Sequence, residues 1–329
     1  MVDMSEWFAI SDFPVEADDD RPLAEGLFLC EVSLPIQNPT VLIDCQDDPT
    51  RTFSLFADPE QGLVLIYRNG QSLRRIELKG ALPGGVGIGR FSFWWSLELN
   101  RWRMTFGRLG HVGELKANGS DPFAVSLTDL AVICQSDSLA LRHPSVLWFG
   151  VTRGSAPPHR APWIGLRTPI ETARGPVAAG NLRIGDMVVT LDSGLVPILN
   201  IVKRRLPSRG SFAPIVLRAP FLGQMTDLLV AVDQLVLRRG PTIEYLFGEE
   251  EVLIPAGALD DGMVARRDNR FAVASGIELD LGMPEIVLAD GVGLLTSGPL
   301  ANQPRKALAD YEVQQLRSML TAVGGRSVA

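Results

Sequence analysis

Hydrophobic and polar residues alternate along much of the first half of the chain. In "RFSFWWSLEL", Phe91, Phe93, Trp95, Leu97 and Leu99 fall on one side and Ser92, Trp94, Ser96 and Glu98 on the other. After Asn100 the stretch "RWRMTFG" alternates again, with Trp102, Met104 and Phe106 opposite Arg101, Arg103 and Thr105. A period of two is the mark of half-buried antiparallel strands. "GLVLIYR" and "QSLRRIELK" flank Asn69-Gly70, a pair that predicts a two-residue hairpin of type I′, with positive φ at both positions. "SDPFAVSLTDLAVIC" has room for one short helix, "GALPGGVGIGR" reads as a loop, and "ALRHPSVLWFGVTRG" reads as a buried final strand in which His143 is a satisfied structural histidine. Strands joined by tight turns predict an antiparallel β-sandwich over residues 1–151.

Residues 152–162, "TRGSAPPHRAP", concentrate Gly154, Pro157, Pro158 and Pro162 and read as a linker. From 163 to 299 the pattern changes pace. Short apolar runs ("DMVVTL", "LVPILNIVK", "APIVLRAP", "DLLVAVDQLVL", "EVLIPAGAL", "PEIVLADG") are separated by "RGP", "RIGD", "DSG", "RRGP" and "DDG". That pacing predicts a second all-β domain of many short strands. In the tail, 300–329, "RKALADYEVQQLRSMLTAVGG" predicts a helix. Ala309, Val313, Leu316 and Leu320 share one face, and Gly324-Gly325 ends it. The helix is expected to pack back on the body as a brace. The fold class is therefore all-β with one terminal helix.

Composition narrows the chemistry. The 329 residues are 46% hydrophobic and carry a net charge of −7. That sign argues against nucleic acid or an anionic membrane surface as the main partner. Three cysteines, Cys30, Cys45 and Cys134, form no CxxC pair, and His111, His143 and His159 are scattered. No zinc or iron motif results, and neither a metal nor another cofactor is expected. Asp18, Asp19 and Asp20 read as a solvated loop, because consecutive aspartates point in different directions. No apolar run approaches the roughly 18 residues of a membrane span. The opening "MVDMSEWFAISDF" has neither a basic n-region nor an apolar h-region. The expected location is the cytoplasm, or outside it by a route other than the Sec pathway.

The stretch "TPIETARGPVAAGNLRIGDMVVTLDSGLVPI" resembles the opening of a bacterial Hint domain, the fold shared by Hedgehog C-terminal domains and inteins. The resemblance rests on Arg174-Gly175, the loop from Leu182 to Asp186, the strand "MVVTL" and the "DSG" turn. It continues in "TDLLVAVDQLVL", "EVLIPAGALDDG" and "PEIVLADG", and covers about Trp163 to Ser297. It implies a horseshoe-like, pseudo-twofold β fold. It also implies a reaction, an N-to-S or N-to-O acyl shift. In that reaction a Cys or Ser at the first residue attacks the preceding carbonyl, and a buried His protonates the departing amide. Each role has a physical reason: a thiolate is a strong nucleophile, and an amide nitrogen leaves poorly unless a placed acid protonates it.

Counted along that pattern, the nucleophile's position is Trp163 and the acid's is Gln234, within Ala231-Val232-Asp233-Gln234. A further family His falls at about Pro284. Indole offers only an N–H donor, and a carboxamide does not transfer protons near neutral pH. No Cys or His lies between Trp163 and the C-terminus. The sequence therefore predicts a Hint-like domain without autoprocessing, serving as a structural or interaction module, with Trp163 plugging the old groove and locking the domains together. A self-cleaving protein with a nonstandard nucleophile is the alternative. Its nearest hydroxyls are Ser155, Thr168 and Thr172, with His159 as a base for Ser155. A proline-rich linker holds such a pair poorly. Thr168 is expected to bond locally, Asp186 to bind backbone N–H groups of its loop, and Asp233 to be a relic or simply exposed.

The sandwich also loosely resembles concanavalin-like and laminin-G-like domains in its strand rhythm. That likeness frames a third reading, a carbohydrate-binding module in which Trp94, Trp95 and Trp102, with Arg101 and Arg103, stack a sugar. The competing reading puts the tryptophans in the core with Trp94 partly covered, and alternation favours it. The expected partner is a protein or a glycan.

Overall fold

The computed structural model describes residues 7–13, 22–48, 50–134, 141–158, 161–298, 304–309 and 311–316. The chain divides into two compact units, one of residues 4–159 with 209–211 and one of residues 160–208 with 212–329. The run Asp18 to Asp20, His159 and Leu320 lie outside the described residues.

The first unit contains β1 (Trp7–Ile10), β2 (Glu25–Leu34), β3 (Thr40–Asp48), β4 (Arg51–Asp58), β5 (Gly62–Asn69), β6 (Ser72–Lys79), β7 (Gly87–Ser96), β8 (Arg101–Arg108), β9 (Glu114–Ser120), α1 (Leu127–Cys134), β10 (Leu141–Arg142) and β11 (Val146–Thr152). They form a six-stranded sheet, ordered β1-β11-β2-β7-β8-β9, and a five-stranded sheet, ordered β10-β3-β4-β5-β6. Every pairing is antiparallel. One core joins the inward faces of the two sheets: Phe28, Phe91, Phe93 and Trp95 from the first pack with Leu42, Phe53 and Leu65 from the second. This is the sandwich the alternation implies.

Three local expectations change. The strand in "RFSFWWSLEL" stops at Ser96. Leu97 to Asn100 turn instead, with Asn100 at φ 49°, and Leu97 and Leu99 are 44% and 60% exposed rather than inward. The Leu97 N–H donates to Ala24 O at 2.8 Å, which pulls the chain out of register. The hairpin between β5 and β6 forms, but its two loop residues are Gly70 and Gln71. Positive φ is confined to Gly70, at 60°. That is the pattern of a type II′ turn, which asks for glycine at the first loop position only. Helix α1 is capped by its own sequence: Ser126 Oγ accepts from Asp129 N at 3.1 Å, and Asp129 Oδ2 accepts back from Ser126 N at 3.4 Å. His143 is exposed rather than buried, and its Nδ1 lies 2.8 Å from Ser145 Oγ.

A fully buried carboxylate sits on the outward side of the six-stranded sheet. Glu31 is 0% exposed. It accepts from Arg90 Nε and Nη2 at 2.9 and 2.7 Å, from Trp148 Nε1 at 2.9 Å, and from Ser211 N and Oγ, both at 2.7 Å. A charge is tolerated at such depth only when paired and fully hydrogen-bonded. Gly210 closes over it, and a Cβ there would come within 2.8 Å of Trp148 Nε1 and closer still to the carboxylate.

All three cysteines are buried thiols outside any disulfide. Burial pushes the Cys30 and Cys134 thiols far above their ordinary range. Because only the thiolate reacts, the folded chain is expected to take up no thiol reagent, and three equivalents once unfolded in guanidinium. Rapid labelling of the native protein would contradict this.

The second unit contains β12 (Ile164–Gly165), β13 (Pro169–Thr172), β14 (Gly175–Ala178), β15 (Met187–Thr190), β16 (Gly194–Pro197), β17 (Asn200–Pro207), β18 (Ile215–Leu217), β19 (Leu228–Val230), β20 (Leu235–Arg239), α2 (Pro241–Phe247), β21 (Glu251–Pro255), β22 (Ala265–Arg267), β23 (Val273–Asp280), β24 (Ile286–Ala289), β25 (Val292–Leu295) and β26 (Lys306–Ala307). One sheet runs β17-β23-β12-β19-β18-β22. The other runs β14-β13-β15-β24-β25-β20-β21-β26, with β16 beside β15. Their core includes Ile164, Ile170, Val188, Val230, Val236, Ile254, Ile277 and Leu294. Glycine makes the tight turns, at Gly175 (φ 97°) between β13 and β14 and at Gly194 (φ 70°) between β15 and β16.

The tail departs from a continuous helix. Lys306 and Ala307 are a strand, parallel to Val252 and Leu253, and Leu308 N donates to Leu253 O at 2.9 Å. Residues 311–316 are helical. Pairing with a sheet edge outcompetes helix propensity at the first of these positions. Leu308, Val313 and Leu316 lie in the core of the unit, as a brace requires. Helix α2 has no counterpart in the periodicity. Its seven residues are too few to show one, and its signals are punctuation: Pro241 in the first turn and Gly248 in the left-handed C-cap conformation.

Candidate functional site

The site is built where β12 crosses the second unit. Ile164 pairs with Val230 of β19 on one side and Ile277 of β23 on the other, and Gly165 pairs with Gly276. Trp163 immediately precedes this strand. Its carbonyl accepts from Ala231 N at 2.9 Å, which extends the pairing with β19 by one bond. Trp163 is 2% exposed and its indole packs against Gly276: a Cβ on Gly276 would stand 2.2 Å from the indole Cε3 and 2.7 Å from Ile164 O. Only glycine fits there. Gly165 is held as tightly by β19, with Leu229 Cβ at 2.8 Å from a virtual Cβ.

The turn after β19 carries the second position. Gln234 N donates to Ala231 O at 3.1 Å, so the residue that binds the Trp163 carbonyl also closes the turn holding Gln234. Gln234 is 1% exposed. Its Nε2 donates to Leu295 O at 2.7 Å and Leu235 O at 3.1 Å, and its backbone oxygen accepts from Ala256 N at 2.8 Å. The amide thus knits β25 to the turn. It has donors to give but no proton to move.

The other candidates occupy structural roles. Thr168 is 3% exposed and donates from Oγ1 to Leu229 O at 3.4 Å, a bond to a distant strand rather than a local one. Its N–H is committed locally, to Gly165 O at 3.0 Å. Thr172 Oγ1 donates to Gly175 O at 2.6 Å and accepts from Arg174 N at 3.1 Å, bracing the β13–β14 hairpin. Asp186 accepts from Arg183 N at 2.8 Å, the loop role its type implies. Ser155 is exposed, and its carbonyl accepts from Arg103 Nη2 at 2.7 Å. Asp233 is half-buried. Pro284 is buried, with its ring over Gly298, where a Cβ would meet Cγ at 2.6 Å. Among the described residues no group of three or more His, Cys, Asp or Glu could hold a metal ion.

Trp94, Trp95 and Trp102 do not share a face. Trp95 is 0% exposed in the core of the sandwich, with Nε1 donating to Leu23 O at 2.9 Å. Trp102 pairs with it across β7 and β8 and packs against the same core. Trp94 points the other way, donating to Glu25 Oε1 at 3.1 Å.

No motif marks Glu285. It is 8% exposed, accepts from Ser193 Oγ at 2.7 Å and ties the β15–β16 turn to β24. A cleft of about 390 Å³ in the same unit is lined by Thr168, Asp227, Leu229, Asp268, Arg270 and Phe271. Hydrogen bonds from Arg270 hold the Asp268 carboxyl below the usual carboxylate range. This polarity comes from residues far apart in sequence, so no motif announces it.

Residues 166–296 match the family model of the Hint domain. Gln234 lies inside the matched segment and Trp163 just before its start. No curated protein matches the chain. Among solved structures, the gp41-1 intein is 17% identical over 41% of this chain and 98% of its own, with a TM-score of 0.27. The LG1-3 region of the laminin alpha2 chain is 7% identical over 90% of this chain and 57% of its own, with a TM-score of 0.29. A GH43 protein from Bacillus licheniformis is 11% identical over 39% of this chain and 23% of its own, with a TM-score of 0.22.

Proposed function

We propose that the Hint domain of this chain has lost the acyl-shift chemistry of its family and serves as a structural or interaction module. The observation that carries this reading is the pair of buried side chains, Trp163 and Gln234, at the two positions where the family's reaction needs its nucleophile and acid. Trp163 fills the space over Gly276 with a ring that has no nucleophilic atom. Gln234 spends its amide protons on the carbonyls of Leu295 and Leu235. A nucleophile and an acid are the two halves of one mechanism, and neither is supplied. Thr168 and Thr172 do not replace them, because their hydroxyls donate to backbone carbonyls and no histidine stands in the unit to deprotonate them. With chemistry absent, the role left to the unit is to hold surfaces in place for a protein or glycan partner.

Purified full-length chain, incubated with and without thiol or hydroxylamine, is expected to keep a single intact mass. Two fragments with a junction near Trp163 would establish self-cleavage by a nonstandard nucleophile and end this reading.

A further inference from the structure

We propose that the cleft of about 390 Å³ in the second unit receives an extended segment of a partner protein, inserted as one more strand in line with β12. Strand β12 is only two residues long, Ile164–Gly165, and lies between β19 and β23. Its neighbours continue past it. Val273, Ala274 and Ser275 of β23 pair with β17 on one side and, among the described residues, with no strand on the other. Leu228 and Leu229 of β19 pair with β18 and likewise have no described strand on the β12 side. The chain itself turns away: Thr168 N donates to Gly165 O at 3.0 Å, and Gly180 N to Leu166 O at 2.8 Å. β19 and β23 each flank β12 at one strand spacing, so about 9.5 Å separates them where it ends, the width of one inserted strand. Leu229, Val273, Ala274 and Ser275, from the two unpaired edges, all line the cleft.

Register fixes what the inserted strand meets. Gly165 pairs with Gly276, and Ile164 with Val230. Continued by three residues, the first inserted residue stands between Ser275 and Leu228. The second stands between Ala274 and Asp227, and the third beside Val273. Antiparallel pairing with both walls is the more stable arrangement, so the segment runs in the direction of β12. Unpaired strand edges bind the backbone of any extended chain, and side-chain contacts choose among sequences.

The choice is made at the second position. Asp227 immediately precedes β19 and is exposed. Its Oδ1 accepts from Ala219 N at 2.9 Å, and it forms no ion pair with any described residue. That bond fixes the carboxylate and leaves Oδ2 for a ligand. The other carboxylate in the lining, Asp268, is taken by Arg270, which donates from Nε and Nη2 at 2.8 Å each. Alternation puts Asp227 on the face of Leu229 and Ala274 on the face of Gly276. A lysine or arginine at the second position therefore passes over the small Ala274 side chain and reaches Asp227. Arg167, in the turn that ends β12, is exposed and has no ion pair with any described residue. It favours an acidic residue just ahead of the three. The partner is thus an extended segment with an acid first and a base two residues later.

This site rests on the reading of the unit as an interaction module; the intact mass tests the lost chemistry, and peptide binding tests the slot. Fluorescence anisotropy of the full chain with fluorescein-Glu-Val-Lys-Val-Ser-amide is expected to show saturable binding below about 1 mM. Methylating the backbone nitrogen of the peptide lysine deletes one donor and should weaken binding about two- to tenfold. The swapped peptide Lys-Val-Glu-Val-Ser has the same composition and should bind about fivefold less tightly or worse. Asp227→Asn keeps an oxygen for Ala219 N and should narrow that preference to about twofold or less. Glu250→Gln, at an exposed position of the same unit, should change nothing. Hydrogen exchange across Val273–Ser275 should slow when the peptide is bound. Absence of binding at millimolar peptide overturns the proposal. So does undiminished binding of the methylated peptide, equal binding of the swapped one, or equal binding of acetyl-lysine amide alone.

Discussion

Trp163→Ala is expected to lower the stability of the second unit by about 3–5 kcal/mol, the range for removing a large buried aromatic side chain. The indole is 2% exposed, and the space it leaves cannot refill from below, where Gly276 contributes no side chain. The measurement is the guanidinium unfolding curve, followed by hydrogen exchange at β12, β19 and β23. Gly276→Ala should be destabilising too, because its new methyl would overlap the indole at 2.2 Å and the Ile164 carbonyl at 2.7 Å. In the double variant the indole clash is gone, so the two losses should sum to less than their separate values. Rescue stays partial, since the Ile164 carbonyl remains. Strict additivity, or a Trp163→Ala protein as stable as the parent, would show that the ring is not the packing element described above.

Glu31→Ala is expected to cost the first unit about 3–5 kcal/mol, the usual penalty for breaking a buried ion pair from one side. The loss is not the carboxylate's own contribution. It is the position of those left behind: the half-buried Arg90 against no charge, and the Trp148 indole N–H and the Ser211 N–H and hydroxyl without this acceptor. Glu31→Gln keeps one acceptor oxygen and should fall between. A melting temperature unchanged in both variants would mean that water replaces the carboxylate freely, which its complete burial argues against. Replacing the whole group of partners with apolar residues of the same shape is a different experiment, and it is expected to cost far less than Glu31→Ala alone.

Much of this was legible in the sequence, for reasons that can be traced to particular residues. Alternation placed Phe91, Phe93 and Trp95 inward, because a strand's faces repeat every two residues. It failed at Leu97 and Leu99, where a turn fixed by Asn100 and a backbone bond to Ala24 ended the strand. The glycine punctuation of the second unit located its hairpins, while the same kind of punctuation around Gly240 and Gly248 concealed the short helix α2. At the tail, helical periodicity was right for Val313 and Leu316 and blind to the strand at Lys306, because parallel pairing with β21 is a long-range fact. In the candidate site, the identities of Trp163 and Gln234 could be read directly. What surrounds them could not. Gly276 lies more than a hundred residues from Trp163, and nothing near it in sequence says that an indole rests on it.

The fit of Trp163 to Gly276 couples two positions more than a hundred residues apart. A cysteine introduced at position 163 would stand in a hollow cut for a bicyclic ring, over backbone with no side chain to support it. A histidine introduced at 234 would meet a Leu295 carbonyl that an amide now holds. Each single change is expected to cost stability, so the packing acts as a ratchet that keeps these residues together.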